Sequence, residues 1–489
     1  MRRLLTLHSG GRPTGGIYIR ARSRSYVVGK IALTTGLGAL VTDQQKNARF
    51  ALAVLFGINL MNFFDRQIPG ALSEPILREF AMNDAQWGAV NTVFTLMYAA
   101  VGIPLGRLSD SKSRKHILGF GVTFWSLFTA VSGLAWSKAS LVFARIGVGL
   151  GEAACAPASQ SMIGDLYPPE RRARAMSIFM LGLPLGLFLA YRFAGFVYAH
   201  WGWRAAFFLA CIPGLALAVC AFMMKEPLRG TTDAQAAAAP IATKQAFKRV
   251  LSIKTLWWIV ASGLLFNFNS YSANTFQTSF LVRFHGLNVP DAATISSYSL
   301  GLAGVLGLLI GGMLGDRFRA TRSNGRLLLA ACTMSLAAPC VFFALQQPKG
   351  STFAFGVLMA MFSVMTYVYY ATVYSALQDV VEPRLRATAV AIYFFAQYVF
   401  GASFGTTITG ALSDHFAHKA MLEAGASAMA PVFVANGLHT AMYIIPILTV
   451  LCAASLFGAA GMVSKDMDRM QRRLRGEDDS AAPAVVVPA

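Results

Sequence analysis

Charge is scarce in this chain, and acidic charge is scarcer still. Only 13% of the 489 residues are Asp, Glu, Lys or Arg, about half of what a soluble protein carries. The six cysteines contain no Cys-x-x-Cys pair and the seven histidines no His-x-x-x-His pair. A disulfide framework and a metal site are therefore unsupported. No Gly-x-x-x-x-Gly-Lys-Ser/Thr occurs, so nothing points to ATP drive. Gly147-x-Gly149-x-Gly151 lies inside an apolar run with no strand before it, which argues against a dinucleotide loop. The expectation is a protein that is not an enzyme and carries no cofactor.

What is present is apolar sequence. Hydrophobic residues make up 55% of the chain and its mean hydropathy is +0.53. Apolar runs of about 20 residues recur, the length of a membrane-crossing helix. Twelve such spans are read, so the predicted fold is an all-α membrane protein with twelve transmembrane helices. The formal net charge of +20 follows their alternation. Of 42 Lys and Arg, 33 fall in the two tails and in one set of alternate connections, and 6 in the other set. By the positive-inside rule both termini and the long central loop are cytoplasmic. The basic charge is thus an orientation signal, and no nucleic-acid partner is expected. A multi-pass protein of a bacterial inner membrane is.

The chain repeats itself. Asp165-Leu-Tyr-Pro-Pro-Glu-Arg-Arg-Ala-Arg-Ala175 matches Asp379-Val-Val-Glu-Pro-Arg-Leu-Arg-Ala-Thr-Ala389 without a gap. Gly106-Arg-Leu-Ser-Asp110-Ser-Lys-Ser-Arg114-Lys115 corresponds to Gly312-Met-Leu-Gly-Asp316-Arg317-Phe-Arg319. Both offsets slightly exceed 200 residues, which makes two six-helix halves in the same orientation. The predicted organisation is a basic, disordered arm over 1–48, an N-terminal half over 49–224 and a cytoplasmic linker over 225–254. A C-terminal half over 255–463 and a disordered tail over 464–489 complete it. Parallel halves with a site between them are the build of rocking secondary transporters.

The Gly-x-x-x-Asp-x-x-x-Arg-Lys element resembles the loop motif of the major facilitator superfamily. The resemblance implies a cytoplasmic gate formed by Gly106, Asp110, Arg114, Lys115, Asp316 and Arg317. Plain positive-inside charge is the other reading of Arg114 and Lys115. Ser111 and Ser113 depart from the family pattern. Within the superfamily, Asn62-Phe-Phe-Asp-Arg-Gln-Ile-Pro-Gly70 and Arg145-Ile-Gly-Val-Gly-Leu-Gly-Glu-Ala153 resemble the Spinster family. That likeness covers roughly residues 50–462 and is stronger in the first half. It implies proton coupling, with Asp65 and Glu152 as the proton-handling groups.

Asp65, Arg66, Arg145, Glu152 and Arg192 interrupt apolar runs. An ionised group there costs several kcal/mol unless paired or wetted, and such residues mark ion or substrate pathways. Arg145 and Glu152 are seven apart and share a helical face, ~10 Å apart along the axis. Asp65 is expected to meet Arg145 at similar depth, with Glu152 nearer the midplane. Asp65 and Arg66 point in different directions. A titrating cluster and a static charge network both fit. Arg192 reads as a contact for an anionic group, as a structural pair with a carboxylate, or as a snorkelling cation. In the second half, Asn267, Tyr271 and Asn274 share one face and Tyr367, Tyr370 and Tyr374 another. These suit an amphiphilic ligand or ordinary interhelical hydrogen bonds.

The function read from these residues is a proton-coupled carrier of an amphiphilic organic anion, with a lysophospholipid or sphingolipid-like molecule as one version. A carrier of a small organic or aromatic acid and a non-transporting membrane sensor are the alternatives. The expected partners are that substrate, protons and membrane lipids, for a monomeric protein.

Overall fold

The computed structural model describes residues 24–229, 243–382 and 385–474. The predicted tail after 474, most of the linker and residues 1–23 lie outside the described residues. Two compact units meet between Arg49 and Phe50. In the first, helix runs from Arg24 onward.

The second unit is helical, and no strand occurs among the described residues. Its first group of helices is the part of α1 (Arg24–Ala71) from Phe50 onward, α2 (Ser73–Glu79), α3 (Asp84–Ser111), α4 (Arg114–Gly133), α5 (Lys138–Glu152), α6 (Cys155–Leu166), α7 (Pro169–Met180) and α8 (Gly182–Met223). The short α9 (Thr243–Leu251) leads to the second group: α10 (Lys254–Arg283), α11 (Val289–Ser296), α12 (Ala303–Thr321), α13 (Gly325–Leu345), α14 (Thr352–Asp379), α15 (Arg386–Ala396), α16 (Ser403–Glu423), α17 (Pro431–Met442) and α18 (Ile444–Leu474). Side-chain caps fix several starts. Asn83 with Gln86 and Ser137 with Ser140 form reciprocal capping boxes on α3 and α5.

Ten helices among the described residues are long and apolar enough to cross a membrane, against the twelve expected. Two local features account for the difference. The 50-residue stretch Arg174–Met223 counts once, although Gly202 at φ +80° breaks it into two arms. That left-handed backbone suits glycine. Helix α10 has 30 residues, but Asn267, Asn269, Ser272, Asn274 and Gln277 lower its hydropathy.

Burial is inverted relative to a soluble protein. Phe120, Trp136, Phe143, Ile212 and Phe353 are among the exposed side chains, whereas Asp65, Glu152 and Gln277 have no exposed surface. Such a surface suits lipid, and the polar groups face one another inside.

Two helix pairs join the groups: α3 with α16, and α8 with α11 and the π-helical turn Ser297–Leu302 that follows it. A second π-helical turn, Gln397–Ala402, precedes α16. Each touches the opposite group. A Cβ on Gly301 would lie 2.4 Å from the Phe188 nitrogen, and Tyr398 stacks at 5.3 Å on Tyr98. One end of the bundle is closed by charge. Arg283 donates to Glu74 at 2.7 Å and to Asp84 at 2.8 Å. Asp414 accepts from the backbone N–H groups of Asp84 (3.1 Å) and Ala85 (2.9 Å), capping α3 from the other group. Ser413 donates to Asp84 at 2.6 Å.

Candidate functional site

Glycine brings the site together. A Cβ on Gly149 would lie 2.8 Å from the Phe94 carbonyl, and one on Gly151 would lie 2.7 Å from the Trp125 nitrogen. Helix α5 therefore presses its backbone onto α3 and α4, then ends at Glu152. The carboxylate is delivered to a helix break in the middle of the bundle.

Successive residues of a helix point about 100° apart, so Asp65 and Arg66 leave α1 on different faces. Asp65 turns towards α4 and accepts from Trp125 Nε1 at 3.1 Å. Arg66 turns to the centre. Its Nη2 lies 2.8 Å from Glu152 Oε2, and its Nε donates to the same oxygen at 3.2 Å. Nη2 also donates to Asn62 Oδ1 at 3.2 Å, and Nη1 to the Tyr271 hydroxyl at 3.1 Å. The guanidinium lies over the rings of Phe63, Phe94 and Tyr98, 4.6–5.3 Å from their centroids. A cation on aromatic faces gains most where water is excluded.

Asp65 and Arg145, expected at similar depth, share no hydrogen bond or ion pair among the described residues. Arg145, only 1% exposed, lies 4.7 Å over the Phe94 ring and makes no side-chain hydrogen bond among the described residues. Arg66 takes the carboxylate because it projects from α1 at the break where α5 ends. Trp125 occupies the reach of Asp65. Asp65 Oδ1 and Glu152 Oε1 also lack a hydrogen-bond partner. Three charged groups thus keep spare donors and acceptors in one buried cluster, an arrangement costly unless the groups exchange partners or protons.

The second group contributes an aromatic wall. Tyr271 lies 6.4 Å from Tyr398, Tyr370 packs at 4.9 Å on Phe266, and Tyr367 lies 5.7 Å from Tyr370. Tyr374 continues it, 5.9 Å from Phe394. Asn267 is buried beside Gly401. Asn274 serves the seam, where its carbonyl accepts from the Tyr191 hydroxyl at 2.6 Å.

Arg192 is placed differently from the expected cavity cation. It is exposed, and its Nη1 donates to Thr294 Oγ1 of α11 at 2.6 Å. It joins α8 to α11 and pairs with no carboxylate among the described residues. Arg114 is also corrected. It is 1% exposed and bonds inside the first group, to Asp165, to Ser161 (2.9 Å), to Glu226 (3.3 Å) and to the Pro227 carbonyl (2.8 Å). A fork of five donors is satisfied by helix ends of its own group, so it is an anchor and not a contact between groups. Lys115 reaches the Phe222 carbonyl at 3.4 Å, Asp316 accepts from Arg326 at 2.9 Å, and Arg317 is exposed. Gly106 has only the Pro157 Cβ near the position of an added methyl, at 3.8 Å. The Asp110 side chain lies outside the described residues.

Sequence reading missed Trp125, Phe94, Tyr98 and Tyr398. Tyr98 follows Asn91 by seven residues on α3, a same-face polar spacing that could have been noticed. Nothing distinguished Phe94 or Trp125 from other apolar core residues.

The profile of the Major Facilitator Superfamily matches residues 55–406, most of the chain. The chain belongs to the major facilitator superfamily. It is a Spinster-like transporter, and not an enzyme. An "MFS-type efflux pump" of Mycolicibacterium smegmatis is 29% identical over 76% of this chain and 85% of the relative. "Protein spinster homolog 1" of Mus musculus is 26% identical over 93% and 89%. Among solved structures, a bacterial homologue of the human lysosomal transporter Spinster, inward-facing and unoccupied, aligns with a TM-score of 0.75 at 28% identity. That alignment covers 86% of this chain and 98% of the other. The superfamily makes the cross-group seams intelligible as surfaces that separate and re-form.

Proposed function

We propose that this transporter is proton-coupled, works by alternating access, and carries an amphiphilic organic anion. The observation that carries the reading is Arg66, which is shared between Glu152 on its own side and Tyr271 on the other. A proton on Glu152 removes the negative charge opposite Arg66 and one of its acceptors. The guanidinium is then released towards the aromatic wall, where a carboxylate or phosphate of the cargo would be its natural partner. The cargo's apolar body would lie against Tyr367, Tyr370 and Tyr374, which present apolar rings with polar tips. In this reading Arg66 takes the anion-binding role expected of Arg192.

The polarity of α10 and the break at Gly202 support twelve membrane-spanning helices in two six-helix halves. The distribution of Lys and Arg supports cytoplasmic termini in a bacterial inner membrane. Tyr271 links the proton site to the second half, so the charge state of Glu152 biases the rocking of one half on the other. A lysophospholipid or sphingolipid-like molecule is the first cargo to test. Export is the first direction, since the mycobacterial relative is named an efflux pump.

The test is flux into or out of proteoliposomes under an imposed pH gradient. Wild-type protein should move the cargo faster with the gradient than without it. Glu152→Gln should lose the gradient dependence and keep counterflow exchange, which needs no net proton movement. Equal gradient dependence in the two proteins would overturn the coupling role.

A further inference from the structure

A second basic recess lies far from this site, at the bundle end where α10 begins. It is lined by Arg249 of α9 and by Arg469 and Arg473 of α18, over a floor that includes Ile253, Leu385 and Met470. Two carboxylates share it, each at long ion-pair distance from one of the arginines. Asp466 is committed elsewhere, its Oδ2 accepting from the Thr255 N–H at 2.8 Å and hydroxyl at 2.7 Å. Its other oxygen lies 3.9 Å from Arg469. Glu382, with a side chain 5% exposed, lies 3.9 Å from Arg249. Both separations exceed hydrogen-bonding distance. Among the described residues neither Arg249 nor Arg469 makes a side-chain hydrogen bond, so two planar forks present their donors to one recess.

The surroundings choose the ligand. Guanidinium forks match the geometry of a phosphate group and bind it bidentately. Beside the recess the surface turns apolar. Phe247 and Leu251 of α9 and Trp257 of α10 are 44%, 38% and 53% exposed, while Val250 on the other face of α9 is fully buried. Trp257 Nε1 donates to the Leu251 carbonyl at 2.9 Å, fixing its ring beside α9. Exposed tryptophan beside basic residues marks the headgroup level of a bilayer, and basic pockets between membrane helices take anionic headgroups.

We propose that this recess binds the phosphate of an anionic phospholipid, held by Arg249 and Arg469, with its acyl chains along Trp257 and the adjoining α10 surface. A free phosphate would satisfy the forks equally well, but would leave the apolar rim unused.

The experiment is native mass spectrometry of the full-length protein in detergent, with phosphatidylglycerol, phosphatidylcholine or inorganic phosphate added. Wild type should retain phosphatidylglycerol in preference to phosphatidylcholine. Arg469→Gln should weaken that retention by about tenfold, the loss of one charge-assisted contact. Arg249→Gln/Arg469→Gln should abolish the preference. The exposed position of Arg469 makes the single variant the safer one for folding, and an unchanged melting temperature in phosphatidylcholine checks this. Equal retention of the two lipids by wild type would overturn the proposal, and so would undiminished preference in the single variant. Displacement of phosphatidylglycerol by millimolar inorganic phosphate would assign the recess to the free ion and overturn the lipid assignment.

Discussion

At the scale of the residue, the site turns on which carboxylate holds which arginine. Tyr271→Phe should be the cleanest probe of communication between the groups. It removes one hydroxyl, 3.1 Å from Arg66, and leaves the ring. A hydrogen bond to a charged group is worth about 1.5–3 kcal/mol. Gradient-driven flux should therefore fall by roughly tenfold or more, with cargo binding in detergent little changed. Flux equal to wild type would separate Tyr271 from coupling. Arg192→Ala, by contrast, should affect an anionic cargo and its neutral analogue alike, because Arg192 is exposed and bonds to Thr294. Binding affinities of the two analogues, measured side by side, decide this. A selective loss for the anion would return Arg192 to the cargo site. The sequence made the charged residues conspicuous, because ionisable groups in apolar runs stand out. It could not pair them. Asp65 and Arg145 are reachable neighbours on helical geometry alone. Only the bulk of Trp125 and the close approach of Gly149 and Gly151 decide that Glu152 meets Arg66.

At the scale of the element, the internal repeat was legible and its chemistry was not. The repeated Asp165 and Asp379 occupy equivalent positions, each accepting from an arginine at the start of a helix. Arg114 reaches Asp165 from α4, and Arg326 reaches Asp379 from α13 at 2.8 Å. The family motif suggested a contact that breaks in each cycle, yet each anchor lies within its own group of helices. They hold helix ends together and are expected to persist. Arg114→Ala should destabilise the protein by on the order of 3 kcal/mol, since it strips a buried cation from two carboxylates. A lowered melting temperature in detergent checks this. The anchor also has a pH signature. Burial acts to raise the Glu226 carboxyl, but its bonds from Ser113 and from the backbone and side chain of Arg114 outweigh burial and leave it below its ordinary range. A group lowered in the folded state stabilises most above its unfolded pKa, about 4.3 for Glu. That contribution disappears as pH falls through the lower folded value. Glu226→Gln should therefore flatten the loss of melting temperature on acidification below about pH 4.3. An unchanged acid slope would remove Glu226 from the anchor.

At the scale of the whole molecule, charged groups bridge the seam at one end. Arg283 alone bridges Glu74 and Asp84, and Asp414 completes the contact by capping α3. An apolar cluster that includes Ile76, Leu77 and Trp87 of the first group and Phe276, Phe280 and Leu281 of the second is buried at the same end. The charge-assisted bonds are buried too, with Arg283 12%, Glu74 5% and Asp84 3% exposed, so removing one partner is costly. Arg283→Gln removes both bonds of the guanidinium and shortens the side chain. On about 3 kcal/mol lost from the closed end, an equilibrium between closed and open ends shifts by roughly a hundredfold. Spin labels at Arg78 and Lys419, exposed positions on opposite groups near that end, should report longer distances in the variant. Glu74→Gln should show a smaller shift, because Asp84 still holds Arg283. Identical distance distributions in wild type and Arg283→Gln would mean that the packing of α3 on α16 and of α8 on α11 closes the end unaided. The charged cluster would then be a consequence of closure, with no part in holding it.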